Sequence, residues 1–427
     1  MKRTIKLAVA AAVALTSTAA FATNGDHLIG LGAKARGMGG VGIGMSHGAE
    51  SALANPALIT SVKGTEVSFG GTLFMPNVSA NMGAGYTDSA SDLSMIPEVS
   101  LASKINDNFY MGVGMWGTAG MGVDYRDQTA NTSNMNMVTN LQLMQFGLPM
   151  AYKSAGLSVG VTPIIQYGAL DINYKYMKDT NGDMVGDTAT DSGAGVAQDI
   201  AFGYTVGAAY DLSGLTIGAV YKSAIEMEYK GQLSTATTPF VGIFPAAMSD
   251  KLEQPVEIGV GASYVMGANT FAVDFKKIKW SDAAGYKDFG WDDQNVLALG
   301  YEYATSGWAV RLGYNHAKSP IKDAGAMTIA GAATAAGGMG PGMMPYFAGN
   351  AMNMFNLLGF PATVETHYTV GGTYEVSKTT SFDLAYIYSP ETTTTLMTMP
   401  DMTTGSDMTT SVKHSQSALS VQLNYAF

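Results

Sequence analysis

The stretch that most limits what this chain can fold into is its last fourteen residues, 414–427 (HSQSALSVQLNYAF). Leu419, Val421, Leu423, Tyr425 and Phe427 fall on one face of a period-two pattern, and Ala418, Ser420, Gln422, Asn424 and Ala426 on the other. Such a strand is apolar on one side only, and no turn or mate follows it. A closed barrel supplies the missing neighbour, because its last strand pairs with its first and leaves no edge. With the apolar face toward lipid, Tyr425 and Phe427 take the places of an aromatic girdle. The alternative is a sandwich strand at a chain end.

Composition separates these readings. Of 427 residues, 47% are apolar and only 13% charged, with 52 glycines, 22 tyrosines and no cysteine, yet no stretch after residue 22 approaches the ~20 apolar residues of a spanning helix. This fits an all-β membrane protein. A net charge of −11 without a basic cluster argues against a nucleic-acid partner. The absence of cysteine excludes disulfides and thiolate metal sites.

Lys2, Arg3 and Lys6 precede the apolar run 7–15, and small residues lead to Ala20-Phe21-Ala22. This predicts a signal peptide over 1–22, cleaved before Thr23, and export to a bacterial outer membrane. From Thr23 to Gly64 glycines interrupt every apolar run, so the segment 23–64 cannot supply lipid-facing strands and belongs outside the wall or inside the barrel. Asn55-Pro56-Ala57 closes it with a turn.

The barrel is assigned to 65–427. Phe109, Met111, Val113 and Met115 alternate with Tyr110, Gly112, Gly114 and Trp116; Phe382, Leu384, Tyr386 and Tyr388 bracket Asp383 and Ala385. Charges therefore fall on the lumen face. Short connections, 106–108, 211–214, 266–269 and 376–379, take turns with long ones, as in outer-membrane barrels, and segmentation gives about fourteen strands. Two long loops, 237–248 and 324–361, are apolar. Phe240 and Phe244 lie in the first; in the second Phe347, Ala351, Met354, Phe355 and Leu358 share a helical face. That face is read either as a surface binding a hydrophobic small molecule or as a helix covering the barrel mouth.

Several stretches carry a resemblance: Gly37-Met38-Gly39-Gly40, Asn55-Pro56-Ala57 before Leu58, Ile105-Asn106-Asp107, Tyr221-Lys222-Ser223 and Asn424-Tyr425-Ala426-Phe427. In order and spacing the mature chain resembles the FadL/TodX family of outer-membrane transporters for long-chain fatty acids and aromatic hydrocarbons. The resemblance implies a transmembrane antiparallel barrel of fourteen strands, an amino-terminal hatch in the lumen anchored by Asn55, Pro56 and Ala57, and a kinked third strand that opens the wall laterally. The glycines of 112–122 fit that kink: alternation fails after Trp116, placing the opening at Gly117, Thr118, Ala119 and Gly120, unless these only turn a barrel corner. By resemblance Lys175 is a candidate carboxylate partner; otherwise it is a snorkelling surface lysine. The Met-rich loop 324–361 departs from the fatty acid branch and leaves both substrate classes open.

Gly44-Met45-Ser46-His47-Gly48 matches G-x-S-x-G and Gly37–Gly42 matches G-x-G-x-x-G, but neither lies between a strand and a helix. The five histidines lack metal-ligand spacing. The stretch 179–183 resembles the start of a calcium loop, with Met184 where a glycine belongs. No cofactor and no enzymatic activity are expected. A water-filled porin would keep its lumen open, and a barrel phospholipase would need a Ser/His pair on the lipid face. The expected partners are a hydrophobic small molecule, outer-membrane lipid and lipopolysaccharide, and the barrel assembly machinery through the strand ending at Phe427; the chain is expected to be a monomer.

Overall fold

The structure, a computed structural model, describes residues 23–126, 134–183, 185–240, 242–244 and 246–427; the expected signal peptide lies outside them. Fourteen wall strands follow in chain order: β1 (Thr65–Asn81), β2 (Ser94–Lys104), β3 (Phe109–Asp124), β4 (Val138–Gly147, resumed at Met150–Ser154), β5 (Leu157–Lys178), β6 (Ala197–Leu212), β7 (Leu215–Lys222), β8 (Glu257–Met266), β9 (Asn269–Ile278), β10 (Gln294–Thr305), β11 (Trp308–His316), β12 (Thr366–Glu375), β13 (Thr380–Asp401) and β14 (Ser406–Ala426). Each pairs antiparallel with the next, and β14 pairs with β1 from Ser411 opposite Asn81 to Ala426 opposite Glu66. The barrel is closed. Phe427 and Thr65 exchange both backbone hydrogen bonds at 2.9 Å, so the last residue leaves no free edge.

The period-two pattern sets the faces. Along β14 Leu419, Val421, Leu423 and Tyr425 look outward, while Ala418, Ser420, Gln422 and Asn424 are buried toward the lumen. Asp383 is buried between the exposed Phe382 and Leu384. One barrel end carries tight turns: Ala155-Gly156 and Ser213-Gly214 both have positive φ at the two turn residues, the geometry of two-residue hairpins. The other end carries long connections, such as 223–256 and 317–365. β4 breaks at Leu148-Pro149, where proline has no N–H to give the ladder.

The segment 23–62 fills the lumen. Its short helix Gly32–Gly37 packs against β11–β14, and the 3-10 turn Pro56–Ser61 packs against the opposite wall at β4–β6. Glycine allows the close approach: a Cβ on Gly39 (φ +70°) would lie 2.5 Å from the Tyr314 carbonyl oxygen, and one on Gly44 2.4 Å from the Ala262 nitrogen. The Asp274 carboxylate on β9 accepts from the amides of Gly42 (2.6 Å), Ile43 (2.8 Å) and Gly44 (3.3 Å). Arg36 grips Glu98 of β2 through two hydrogen bonds, 2.8 and 2.5 Å. Removing one partner of a buried pair like this leaves an uncompensated charge, at a cost of about 3–5 kcal/mol.

Candidate functional site

The site has four parts, three stacked from the long-loop end down into the lumen and one in the wall beside them. At the top is one apolar cluster. Phe240, Phe347, Met354, Phe355 and Leu358 are all buried in it, and Phe244 packs against it half-buried. Phe355 meets Phe240 edge-on at 5.2 Å between ring centres and Tyr174 of β5 at 5.8 Å, and Phe240 touches Phe244 at 6.4 Å. The two apolar loops 237–248 and 324–361 thus converge over the barrel mouth. Lys175 stays out of this cluster. Strand alternation points Tyr174 inward and Lys175 outward, where its side chain is 53% exposed and lies 3.7 Å from Asp191.

Three asparagines one turn apart, Asn350, Asn353 and Asn356, lock the helix Ala348–Leu358 over this cluster. Asn350 donates to the carbonyls of Met327 and Thr398, Asn353 to the Met397 carbonyl and Asp323, and Asn356 to the Phe289 carbonyl. Asn356 also accepts from Trp291 Nε1 at 2.9 Å. The polar edge of the helix therefore pins it to the upper edge of β13 and to the loop 279–293, and its apolar edge is left for the cluster. The loop 279–293 contributes Trp280, Tyr286, Phe289 and Trp291, all buried, with Trp280 and Tyr286 4.6 Å apart in an edge-on contact. Sequence reasoning did not single out these residues. The i, i+3, i+6 asparagines were a readable signal; the aromatics of 279–293 have no periodicity to betray them.

Beneath lies a polar layer built on Asp26 and His27. Burial raises the Asp26 carboxyl above its ordinary range; it accepts from the Tyr286 hydroxyl and from Gln254 Nε2 (2.9 Å). His27 reaches Gln254 through Nε2 (2.5 Å) and Glu257 through Nδ1 (3.0 Å). Glu257 also holds Lys222 (3.3 Å) and Lys276 (3.1 Å). Lys222, Glu257 and Lys276 border two adjoining cavities of about 60 Å³ each; His27, Gln254, Leu53 and Ile164 also line the first, and Leu28 and Leu31 line both.

The third part is the wall at β3. The β2–β3 ladder ends at Glu98 opposite Trp116, although β2 continues to Ser94 with β1 as its partner. Against β4, Gly117 faces Met144 and Ala119 faces Leu143, so Thr118 is the extra residue of a bulge. Beyond the bulge β3 takes a new partner: His27 lies opposite Ala119, and the Gly120 amide donates to the Asp26 carbonyl at 3.1 Å. Thr118 lines the first of these cavities, and its hydroxyl has no partner.

At the bottom, Asn55 is fully buried. Its Nδ2 donates to the carbonyls of Ile43 (2.8 Å) and Ala208 of β6 (3.2 Å), and its Oδ1 accepts from the Ala57 amide. Pro56 sits so close to β5 that a Cβ on Gly160 would come within 2.6 Å of its carbonyl carbon. Ser46 and His47 do not form a nucleophile and base. Ser46 Oγ bonds Ser61 Oγ at 2.6 Å, whereas His47 Nε2 bonds the Val41 carbonyl oxygen at 2.7 Å, and burial lowers the imidazole to about 4. In the acidic loop the Asp179 carboxylate is bonded to the amides of Asn181 and Gly182; Met184 lies outside the described residues.

A closed fourteen-stranded barrel, apolar outside, filled by its own amino-terminal segment and covered by apolar loops, is an outer-membrane transport barrel and not an enzyme. Residues 8–329 match the family model described as outer membrane protein transport protein (OMPP1/FadL/TodX), and the chain belongs to that family. It is 22% identical over 403 residues to the 47 kDa outer membrane protein of Pasteurella multocida (strain Pm70), covering 81% of this chain and 84% of that protein. Crystal structures of a Pseudomonas aeruginosa FadL homologue and of the P. putida toluene transporter TodX share its fold, with TM-scores of 0.68 and 0.65 at 15% and 16% identity. These alignments cover 94% and 93% of this chain, and 100% and 99% of the solved ones.

Proposed function

We propose that this protein takes up hydrophobic compounds across the outer membrane, captures them in the apolar cluster under the helix Ala348–Leu358, and releases them sideways between β2 and β3. The observation that carries the reading is the end of the β2–β3 ladder at Glu98 and Trp116, with Thr118 facing an internal cavity at the same height. An apolar solute gains roughly 25 cal/mol for each Å² it removes from water. A sideways exit into the bilayer keeps that gain, whereas an axial exit through the segment 23–62 would forfeit it. In this reading 23–62 is a plug, Asn55, Pro56 and Ala57 anchor it against β5 and β6, and Gly117, Thr118, Ala119 and Gly120 form the exit.

Gly117→Val combined with Gly120→Val tests the exit. A Cβ on Gly117 would lie 2.5 Å from Ile96 Cγ2, inside contact distance, so the larger side chain has to push Ile96 aside and crowds the space between β2 and β3. Uptake of a labelled hydrophobic substrate by cells, normalised to heat-modifiable folded barrel, should be lost while binding at the loops persists. Near-normal uptake by the double variant would rule out the exit at this position.

A further inference from the structure

We infer that the inner hairpin made of Ile225–Glu228 and Lys251–Gln254 is a hinged flap, which passes molecules from the capture cluster to the cavities below by swinging outward into the barrel wall beside β6. The inference rests on the uptake reading above and names the moving part of the same route.

The register of the hairpin identifies it. In the wall, β7 pairs with β8 up to Lys222 opposite Glu257. Three residues further on each side, Ile225 lies opposite Gln254, and the pairing runs on to Glu228 opposite Lys251. The hairpin is therefore the β7–β8 ladder continued in the same register, and it departs from the wall only in direction. Between the two ladders the chain turns into the lumen at Ser223-Ala224 and Pro255-Val256, where the proline has no N–H to pair. A few residues between two intact ladders are what a hinge requires.

The turn into the lumen leaves an open edge behind it. β6 pairs with β5 from Ala197 to Tyr210, but with β7 only from Thr205 onward. At the end of that ladder the Ser223 amide donates to the Tyr204 carbonyl, and the Tyr204 amide donates to the Ser223 hydroxyl, each at 2.9 Å. Alternation then turns the backbone groups of Phe202 and Ile200 to the vacated side, and among the described residues they have no ladder partner there. The side chains of Phe202 and Ile200 are exposed on the lipid-facing side of the wall. A free strand edge is unfavourable at that depth, and the flap has the register to cover it. Continued straight, β7 would set Ile225 opposite Phe202 and Met227 opposite Ile200. Ile225 and Met227, now buried, would join the outward face of Tyr221, so apolar surface would pass from one apolar medium to another. Two contacts favour the inward position: Gln254 bonds Asp26 and His27 there, and in the wall Glu228 would face the like charge of Asp199.

In the inward position the flap separates two spaces. Ile225 and Gln254 line the first lower cavity, whereas Met227 and Leu252, the next pair on that face, belong to the capture cluster. The chain at its tip sends Leu233 and Phe240 into the same cluster. A molecule entering the cluster thus bears directly on the element that has to move.

The chain has no cysteine, so engineered disulfides can report and fix each position. A Cβ on Gly203 would lie 2.5 Å from Ile225 Cγ1, so Gly203→Cys with Ile225→Cys ties the flap to the inner face of β6. Because Ile225 points at β6, Glu226 points away from it; Ala201→Cys with Glu226→Cys can bridge only when the flap enters the wall and sets 201 opposite 226. The full chain is used throughout, and each variant has to give heat-modifiable, surface-inserted barrel. The 201–226 pair should cross-link under mild oxidation, read by mass spectrometry. With the 203–225 pair fully oxidised, cellular uptake of radiolabelled toluene and of radiolabelled oleate should fall at least about tenfold and recover on reduction with dithiothreitol. Uptake at the wild-type rate through the oxidised 203–225 pair overturns the inference. So does a 201–226 pair that stays unlinked while both thiols react with maleimide, and the two pairs are independent should one fail to fold. A wild-type barrel that takes up neither probe overturns the uptake reading instead, and the 201–226 cross-link still decides whether the flap moves.

Discussion

The docking of the plug should weaken as pH rises from about 6.5 to 8, and Glu50 is the cause. Glu50 is 3% exposed between the helix Gly32–Gly37 and β14. Its Oε1 accepts from Gln422 and lies 3.8 Å from Lys34 Nζ, while Oε2 has no partner. Burial is the largest influence and raises the carboxyl from 4.5 to about 8, with Asp383 and Glu98 adding to it and Lys34 opposing. The docked state therefore keeps a proton that the released state loses at 4.5. Docking draws full benefit from that proton below 4.5, loses it progressively as pH climbs toward 8, and changes no further above. His47, lowered by burial to about 4, works in the opposite direction but only between about 4 and 6.5. Over the remaining 1.5 units, at about 1.4 kcal/mol per unit and with the docked carboxyl half ionised by pH 8, docking should lose about 1.6 kcal/mol, roughly fifteenfold in the opening equilibrium. Glu50→Gln has the shape of the protonated acid and no proton to lose, so it should flatten this slope. Hydrogen exchange of peptides within 32–61, corrected for intrinsic rates, reads the equilibrium at pH 6.5 and 8. Equal slopes in the wild type and the variant would refute the assignment to Glu50.

Two further substitutions have defined outcomes. Asn55→Ala leaves the carbonyls of Ile43 and Ala208 and the Ala57 amide without their side-chain partner, at a cost of about 1–3 kcal/mol; uptake should fall while the barrel stays heat-modifiable and surface-inserted, and uptake at the wild-type rate would separate the anchor from transport. Phe355→Ala removes a buried ring with two edge-on partners, a loss of about 3–5 kcal/mol; hydrogen exchange should speed up across 348–358 and not in β14, and unchanged exchange would mean that the asparagines alone hold the helix.

The wall was legible because every strand reads on its own. Leu423 outward and Gln422 inward follow from alternation whatever strand lies beside them, and the failure of alternation after Trp116 marks the place where β3 changes partner. The capture cluster was half legible. Phe347, Met354, Phe355 and Leu358 share a helical face, but nothing in their spacing says that they meet Phe240 or the aromatics of 279–293. Lys175 shows the limit from the other side. Its place near the outer end of β5 follows from the strand count, yet one step of alternation turns it to solvent.

By itself, the amino-acid sequence determined the class of fold: a chain with period-two apolar faces, short turns alternating with long loops and no spanning helix can satisfy its backbone in a membrane only by closing on itself. The family followed from the order of short stretches such as Gly37–Gly40 and Asn55–Ala57. Only the tertiary structure decided which charges neutralise one another. Glu257, Lys222 and Lys276 lie on the neighbouring strands β8, β7 and β9, with Lys222 opposite Glu257 in the ladder, so the register of the closed barrel sets their pairing, and His27 joins them from the segment 23–62. Electrostatic balance is a property of distances of 3–4 Å between side chains far apart in the chain, and no local pattern records it.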